Sequence, residues 1–551
     1  MKLIIRFFSI ILLLLFIPIK SSWGQTHLDW SYNLSIYEVN TRQFTSDGTF
    51  DAFSTHLDRL QDMGVGILWF MPVHPIGEQN RLGSMGSFYS VKDYLDVSSD
   101  YGTLSDFKDL VDEIHARDMY VIIDWVPNHT SWDNVLTTEH PEWYTKDSDG
   151  NFVPPAGTNW TDVIDLDYEQ QGLREYMIDA LKFWVDSAGV DGFRFDAVDY
   201  LPDDFMAQMT DSLKKHKPDI LLLAEGADEK YHDLGFDMNY AWDLYGFGGG
   251  ILKNIADRTA NASILASYAA GEKTAYESDE LRMYFISNHD ENSWHGTTFE
   301  LFGTASDAFT ILTNTIHGMP LVYNGEEANL NKRLEFFEKD LIPWGSYSKS
   351  ILFERLFKLR KENPALWSGD PENYYSRILT SDNSNIFAYY RSKNEDAVLV
   401  LLNLSTSQKT FTMLGNAYFG SWKNIFTNDT TSYQETTEFT LPAWGYRVFE
   451  SVETTGTYLE NERITDFVLE QNYPNPFNPT TTIKYQVPSF SKVKLSVYDM
   501  LGRNVATLVD QNQNAGHYQI NFNAEALPSG IYMYQLNFGE QSLTRKMMLV
   551  K

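Results

Sequence analysis

Residues 192–200 read GFRFDAVDY, and they set an arginine and two aspartates into an otherwise apolar, strand-like run. Arg194 and Asp196 are two positions apart, so on a strand both side chains leave the same face. Burying charges is costly unless the charges are paired or used. The stretch therefore predicts a buried strand that brings a charged pair to one point of the molecule.

The surrounding sequence alternates strand-like runs with helical patterns from about residue 34 to 323. The eight runs are LSIYEVN, GILWFMPV, MYVIIDWV, VDGFRFDAV, ILLLAEG, FDMNY, MYFISNHD and MPLVYNG. One helix between them is clear, because apolar residues from Leu104 to Ile114 follow helical spacing and Thr103 with Asp106 can cap its start. We predict an α/β fold, a (β/α)8 TIM barrel. An open doubly wound sheet is less favoured, since there are eight repeats and no glycine-rich nucleotide loop, and we expect no organic cofactor.

The chain divides into regions of different pattern. About 40 residues rich in Trp, Asp, Pro and Gly follow the third strand, where barrels build binding sites. After about residue 363, short β-type runs and polar turns replace the alternation. The expected organisation is a signal peptide at 1–24, a barrel at 25–363 with a loop subdomain at 129–172, a β-sandwich at 364–451, a linker at 452–463 and a small all-β domain at 464–551.

Composition and charge limit the classes of function. The chain has 551 residues, no cysteine and a formal net charge of −32. Thiolate metal sites, disulfides and cysteine nucleophiles are therefore excluded, and a strongly acidic surface repels nucleic acid, which we do not expect as a partner. A basic start, an apolar run over 7–19 and Ser22-Trp23-Gly24 predict a signal peptide cleaved after Gly24, rather than an uncleaved anchor.

Polar and charged residues cluster where four of the predicted strands end. Paired carboxylates in such a position suit glycoside cleavage, in which one attacks the anomeric carbon and the other protonates the departing oxygen. Taken singly, each residue has an ordinary structural explanation, such as an ion pair for Arg194 and Asp196; together they favour an active site. The cluster comprises Asp124, Asn128 and His129; Arg194 and Asp196; Glu225; and Asn288, His289 and Asp290.

These motifs resemble the α-amylase family of glycoside hydrolases, which act on α-glucosidic bonds in a (β/α)8 barrel. DWVPNH, GFRFD, AEG and NHD resemble its four signature regions in order, DLDYEQ at 165–170 a fifth, and GSFYSVKDY at 86–94 its tyrosine-bearing loop. The resemblance covers roughly residues 33–450. It implies a retaining mechanism with Asp196 as nucleophile, Glu225 as general acid/base and Asp290 as transition-state stabiliser. It also implies substrate-binding or supporting roles for Tyr89, Asp124, His129, Arg194 and His289.

Two further features follow from the resemblance. Asn128 and Asp165 match positions that help to bind a structural Ca²⁺ in many relatives, and hard oxygen ligands suit calcium; alternatively, Asn128 only hydrogen-bonds its loop. The chain departs from the family just after the nucleophile, where α-amylases often carry Lys-His and this chain has Asp199 and Tyr200. Bond cleavage is unaffected by this change, but the preference for sugars on the reducing side is left open.

The expected partner is an α-glucan, namely starch, maltodextrins or a related oligo- or polysaccharide. The leading interpretation is a secreted α-amylase-like hydrolase of α-1,4 bonds. The alternatives are a cyclomaltodextrinase- or neopullulanase-like hydrolase, a transglycosylase or glucosyl isomerase using the same site, and a surface glucan-binding protein. Retention of Asp196, Glu225 and Asp290 together argues against the last. Chain-length preference and oligomeric state are left open.

The C-terminal segment carries a second resemblance. QNYPNPFNPTTTIKYQV and ALPSGIYMYQLNFGEQSLTRKMMLVK resemble the type A sorting domain of the type IX secretion system. This implies a second partner, the secretion machinery, and export from a Gram-negative bacterium to the medium or the cell surface. A carbohydrate-binding module or a spacer is the alternative.

Overall fold

A computed structural model describes residues 28–276, 280–369, 375–415, 418–434, 437–452, 467–487, 491–513, 516–538 and 541–551. The predicted signal peptide lies outside the described residues, as does all of the predicted linker except Val452. The chain divides into two compact units, with the division between residues 453 and 454 of the sequence. Among the described residues, none of the helices has both the length and the apolarity that crossing a membrane requires.

The first unit contains a closed barrel of eight parallel strands, so the predicted fold class is confirmed. Each strand pairs with the next along the chain, and the eighth pairs with the first. We number them β1 Ile36–Val39, β2 Ile67–Phe70, β3 Tyr120–Trp125, β4 Gly192–Phe195, β5 Leu221–Ala224, β6 Met238–Tyr240, β7 Leu281–Tyr284 and β8 Met319–Tyr323.

Alternation along each strand separates an interior from an exterior core. Apolar residues such as Ile36, Ile122 and Leu223 belong to a cluster that includes the barrel interior and continues into neighbouring helices and the six-stranded sheet. Their strand neighbours, such as Tyr37 and Phe193, belong to a cluster that includes the surrounding helices. Because the period is two, the residues at the carboxyl ends of the interior rows point into the mouth of the barrel.

Helices surround the barrel. The helix after β2 is predicted correctly: it spans Leu104–His115, and Thr103 with Asp106 forms the capping box. The α-helices are Thr41–Phe44, Phe50–Ser54, Leu57–Met63, Leu104–His115, Leu136–Glu139, Gln171–Ala188, Asp203–His216, Lys230–Asp233, Trp242–Tyr245, Gly250–Ala256, Ser263–Ala275, Thr298–Phe302, Ser306–Thr315 and Ser350–Glu362.

Two local features shape the chain around the barrel mouth. Gly192 opens β4 opposite Leu221, and a Cβ there would lie 2.1 Å from the carbonyl oxygen of Leu221, so the close approach of β4 to β5 requires glycine. After β3, the long segment forms an antiparallel pair of short strands, His129–Ser131 and Val163–Asp165. This pair brings the far end of the segment back beside the barrel mouth.

The remaining strands form β domains. In the first unit, Lys409–Thr412 pairs with Glu438–Leu441, and a six-stranded sheet contains Ser376–Ile378, Ile386–Lys393, Asp396–Asn403, Gly420–Asn424, Thr430–Tyr433 and Tyr446–Ser451. The second unit has sheets of three strands (Val468–Leu469, Thr480–Val487, Gly516–Asn523) and four strands (Ser491–Asp499, Asn504–Gln513, Gly530–Phe538, Gln541–Leu549).

Candidate active site

The guanidinium of Arg194 lies at the centre of the barrel mouth and is fully buried. Its Nη1 donates to Asp124 Oδ1 and to Asp196 Oδ1, both at 2.9 Å, and its Nη2 lies 2.7 Å from Glu225 Oε1. Its Nε donates to the hydroxyl of Tyr240 at 3.0 Å. One cation therefore gathers three carboxylates from three adjacent strands, which explains why the strand can bury its charges.

Glu225 follows β5 and differs from Asp196 in its surroundings. Burial raises the pKa of Glu225 to about 8, outweighing the attraction of Arg194. Its Oε2 accepts a hydrogen bond of 2.7 Å from the backbone N–H of Ala197, which adopts a left-handed conformation with φ of 49°. Such a conformation is unfavourable for alanine and concentrates at functional sites. The turn after β4 thus aims a backbone donor at the carboxyl group that follows β5.

Asp124 supports this arrangement from β3, where it pairs in register with Arg194. It is fully buried, and the hydroxyl of Tyr89 donates to its Oδ2 at 2.9 Å. Burial raises its pKa to about 7, against the attraction of Arg194. Asp124 is therefore enclosed by protein groups, whereas Asp196 keeps part of its side chain exposed.

The opposite side of the mouth carries His289 and Asp290. His289 Nε2 lies 2.8 Å from the Tyr89 hydroxyl and 3.3 Å from Asp290 Oδ2, and its Nδ1 contacts Glu38 Oε1. Burial acts to lower the pKa of His289, but the charges of Asp290 and Glu38 raise it well above the ordinary value. Burial likewise acts to raise the pKa of Asp290, yet His289 lowers it. Asp290 is thus an ionised, partly exposed carboxylate at the mouth.

Tyr89 connects the Arg194 side of the mouth with the His289 side, because it contacts both Asp124 and His289. Its ring stacks on His289 with centroids 5.4 Å apart and on Phe336 with centroids 6.1 Å apart. Its hydroxyl forms hydrogen bonds with Asp124 Oδ2 and His289 Nε2. The loop after β2 therefore places the ring of Tyr89 among aromatic neighbours at the wall of the mouth.

The short antiparallel pair places His129 opposite Asp165, and Asn128 immediately precedes the first strand of that pair. Burial lowers the pKa of His129, which favours the neutral ring, and Asn128 Nδ2 lies 3.3 Å from its Nδ1. Burial raises the pKa of Asp165, and within the described ranges this carboxylate has no cationic partner. A side-chain amide and an unneutralised acid fit a hard cation. The described residues hold no cluster of three or more His, Asp or Glu side chains suited to a metal, so further ligands would have to be other oxygens.

Comparison with known proteins identifies the framework around these residues. The family described as "Alpha amylase, catalytic domain" matches residues 32–341, more than half of the chain. The chain belongs to the α-amylase family. The description "Maltogenic Amylase, C-terminal domain" matches 376–448, and "Secretion system C-terminal sorting domain" matches 471–551. Both resemblances read from the sequence are confirmed.

Individual relatives are distant. A cyclomaltodextrin glucanotransferase of Bacillus licheniformis is 26% identical over 445 residues, covering 72% of this chain and 60% of the relative. The chain thus spans about three fifths of that relative's length. Alpha-amylase 3 of Dictyoglomus thermophilum is 26% identical over 458 residues, covering 69% of this chain and 87% of the relative.

Two solved structures resemble the fold closely. An α-amylase from Lactobacillus plantarum has a TM-score of 0.68 and 28% identity, covering 76% of this chain and 99% of its own. A maltogenic α-amylase, AmyB, from Thermotoga neapolitana has a TM-score of 0.68 and 27% identity, covering 77% and 99%.

The positions where this α-amylase family member departs from its family have clear structural surroundings. The carboxylate of Asp199 accepts a hydrogen bond from the hydroxyl of Tyr231. Tyr200 is 49% exposed, and its ring lies 5.7 Å from that of Trp160, which lies 5.3 Å from His129. An aromatic row thus runs from the mouth to the surface. In contrast, Trp143 and Tyr144 are buried, so these two aromatics pack the long segment rather than face a ligand.

Sequence reasoning missed three contributors to the site. Tyr240 holds Arg194 Nε, Trp69 presents its ring 5.2 Å from the Arg194 guanidinium, and Glu38 contacts His289. Glu38 had a usable signal, because it is a charged residue inside the apolar run IYEV, as Arg194 is inside GFRF. Tyr240 and Trp69 carry no such signal, since aromatic residues are common in barrel cores.

Proposed function

We propose that this protein hydrolyses α-1,4-glucosidic bonds in starch, maltodextrins or related α-glucans with retention of configuration. The observation that carries the proposal is the contact of one buried guanidinium, that of Arg194, with both Asp196 and Glu225. Sharing one guanidinium supports the short carboxyl separation of retaining enzymes, about 5 Å. Asp196 is the nucleophile, Glu225 the general acid/base and Asp290 the stabiliser.

The first step forms a covalent intermediate. Asp196 attacks the anomeric carbon, the bond to the leaving oxygen breaks, and Glu225 gives its proton to that oxygen. The raised pKa of Glu225 supports this role, because the group holds its proton at neutral pH. Arg194 orients Asp196, and the negative charge of Asp290 faces the positive charge that develops on the sugar.

The second step releases the sugar. Glu225, now ionised, takes a proton from water, the water oxygen attacks the anomeric carbon, and Asp196 leaves as a carboxylate. Tyr89 stacks against the sugar ring, and His129 and His289 bind its hydroxyls. Asp124 and Arg194 fix the geometry around the two reacting carboxyl groups.

A second candidate is transfer of the glycosyl group to another sugar instead of water. The glucanotransferase relatives favour it, and so does the aromatic row ending at Tyr200, which offers sugar acceptors a stacking surface. A cyclomaltodextrinase- or neopullulanase-like preference differs in substrate rather than in mechanism. A time-resolved product profile on amylose, pullulan and cyclodextrins separates them, because longer or cyclic products indicate transfer.

The roles are tested by matched variants. Asp196→Asn and Glu225→Gln should each fold and lose roughly 10⁴-fold or more in kcat. Glu113→Gln, an exposed change on the helix Leu104–His115, should retain full activity. Substantial turnover by Asp196→Asn would refute the nucleophile assignment. Tight starch binding by an inactive wild-type protein would favour the surface glucan-binding alternative.

Calcium binding and export complete the proposal. Asn128 and Asp165 would hold a Ca²⁺ that ties the long segment to the barrel, a structural rather than a chemical contribution.

The match to a sorting domain supports export by the type IX system after a signal peptide has directed the chain across the inner membrane. The protein would then act outside the cell or at its surface, where glucans are available.

A further inference from the structure

Glu38 is a buried carboxylate that the proposed reaction does not use. It lies on β1, in register with Trp69 of β2 and Tyr323 of β8, and it is fully buried. Its Oε1 contacts His289 Nδ1, while its Oε2 has no hydrogen-bond partner within the described residues. A buried carboxylate is expensive unless a cation compensates it. The charge partner that the structure offers is the ring of His289.

The protons of His289 can be placed by counting donors. Above the Asp124 pKa of about 7, where this carboxylate is ionised, the Tyr89 hydroxyl donates its one proton to Asp124 Oδ2, and the other Asp124 oxygen faces Arg194. The Tyr89 oxygen must then accept from His289 Nε2, 2.8 Å away, so Nε2 carries a proton. Nδ1 faces an oxygen of Glu38, and an ionised carboxylate can only accept. With Asp124 and Glu38 both acting as acceptors, both ring nitrogens of His289 carry protons.

We infer that Glu38 is a positioning residue that holds His289 as a doubly protonated imidazolium, and that this cation in turn fixes Asp290 as an ionised carboxylate. The inference deepens the proposed function and rests on it for the role of Asp290. His289 Nε2 lies 3.3 Å from Asp290 Oδ2, so the series Glu38, His289, Asp290 alternates in charge. The outer carboxylate depends on the inner one through the ring between them.

The groups that face His289 come from four elements. They are Glu38 on β1, Tyr89 in the loop after β2, Asp124 on β3 through the Tyr89 hydroxyl, and Asp290 after β7. Replacing Glu38 by glutamine keeps the shape and an acceptor oxygen but removes one of two nearby negative charges. His289 should then release a proton in the neutral range, and Asp290 should lose the larger of the two cationic influences on it, while that of Arg194 remains.

Nitrogen NMR of the full chain labelled at histidine tests this directly and needs no substrate. The chain has 12 histidines, and His289→Gln identifies the His289 signals by their loss. In wild type we expect both His289 ring nitrogens to be protonated at pH 8, where Asp124 is ionised, and to stay so at higher pH as far as the protein remains folded. In Glu38→Gln we expect the ring to titrate between about pH 6 and 8. Glu113→Gln should leave the His289 signals unchanged.

Kinetics supply the second measurement. Glu38→Gln should lower kcat/KM by about ten- to a hundredfold, the range for a charged hydrogen bond. The difference in kcat/KM between the variant and wild type should increase as pH rises and His289 of the variant deprotonates. Glu38→Asp, which retains the charge, should restore the wild-type form of the pH profile. A neutral His289 ring in wild type at pH 8, or an unchanged titration in Glu38→Gln, would overturn the inference. If Glu38→Gln does not fold, the wild-type spectrum and Glu38→Asp decide it. Absence of glucan cleavage by wild type would instead refute the proposed function and leave the NMR result standing.

Discussion

Replacing Arg194 by methionine tests how the buried charges at the barrel mouth are balanced. Methionine keeps the apolar stem and removes the guanidinium that contacts Asp124, Asp196 and Glu225. Asp124 is fully enclosed, so it would keep only the Tyr89 hydroxyl as a donor. Breaking a buried ion pair from one side costs about 3–5 kcal/mol in the free energy of unfolding. We expect a loss of about 3 kcal/mol at pH 8.

The loss should depend on pH in a defined direction. The folded pKa of Asp124, about 7, is already above its value in an unfolded chain, so the folded state binds the extra proton and stability falls as pH rises toward the folded pKa. Without the guanidinium the folded pKa rises further, and each additional unit adds about 1.4 kcal/mol to the loss at high pH. At pH 5.5 Asp124 is protonated with or without Arg194. The loss there should be less than half of that at pH 8.

Unfolding curves at the two pH values measure this, and two variants control it. Arg194→Met/Asp124→Asn should regain most of the loss at pH 8, because the unpaired charge is gone. Arg117→Met removes an exposed pair with Asp58 and should cost about 1 kcal/mol or less at either pH. Equal losses for Arg194→Met at pH 5.5 and pH 8, with no recovery in the double variant, would refute the reasoning.

Three further predictions concern the same unit. The alkaline limb of kcat/KM should fall near pH 8, because catalysis needs Glu225 protonated and burial raises its pKa to about 8, and a limb below pH 6 would contradict this. Tyr200→Ala should raise KM for long maltooligosaccharides about five- to tenfold, the contribution of one aromatic contact. Its control, Tyr473→Ala, replaces an exposed tyrosine of the second unit and should leave that KM unchanged. Excess CaCl₂ should stabilise the EDTA-treated protein by about 2–3 kcal/mol in thermal unfolding, and Asp165→Asn should abolish that gain; no response in wild type excludes the calcium site.

The sequence allowed the barrel and the clustering of charged residues at its mouth to be predicted, for a reason visible in single residues. Each barrel strand is a short apolar run, and charges such as Arg194 and Asp124 stand out where it ends. One strand was predicted too far toward the C-terminus: the run MYFISNHD spans 283–290, whereas β7 is Leu281–Tyr284. Pairing decides this, since β6 and β8 pair with β7 only as far as Met283 and Tyr284.

The pairings across the barrel were beyond the sequence. Glu38 and His289 are 251 positions apart and meet only because the barrel closes between β1 and β8. The hydrogen bond from Tyr231 to Asp199 likewise depends on the conformations of the segments that follow β4 and β5. Residue type and spacing identify groups that could react, but closure of the sheet determines which of them share a proton.

The most direct test of the central assignment is the anomeric form of the first product, followed by proton NMR during cleavage of a maltooligosaccharide. Nucleophilic attack by Asp196 and a second inversion by water predict that the new reducing end appears in the α-configuration and later equilibrates. A first product in the β-configuration would contradict the covalent intermediate on Asp196, and with it the catalytic reason for Arg194 to hold two carboxyl groups together.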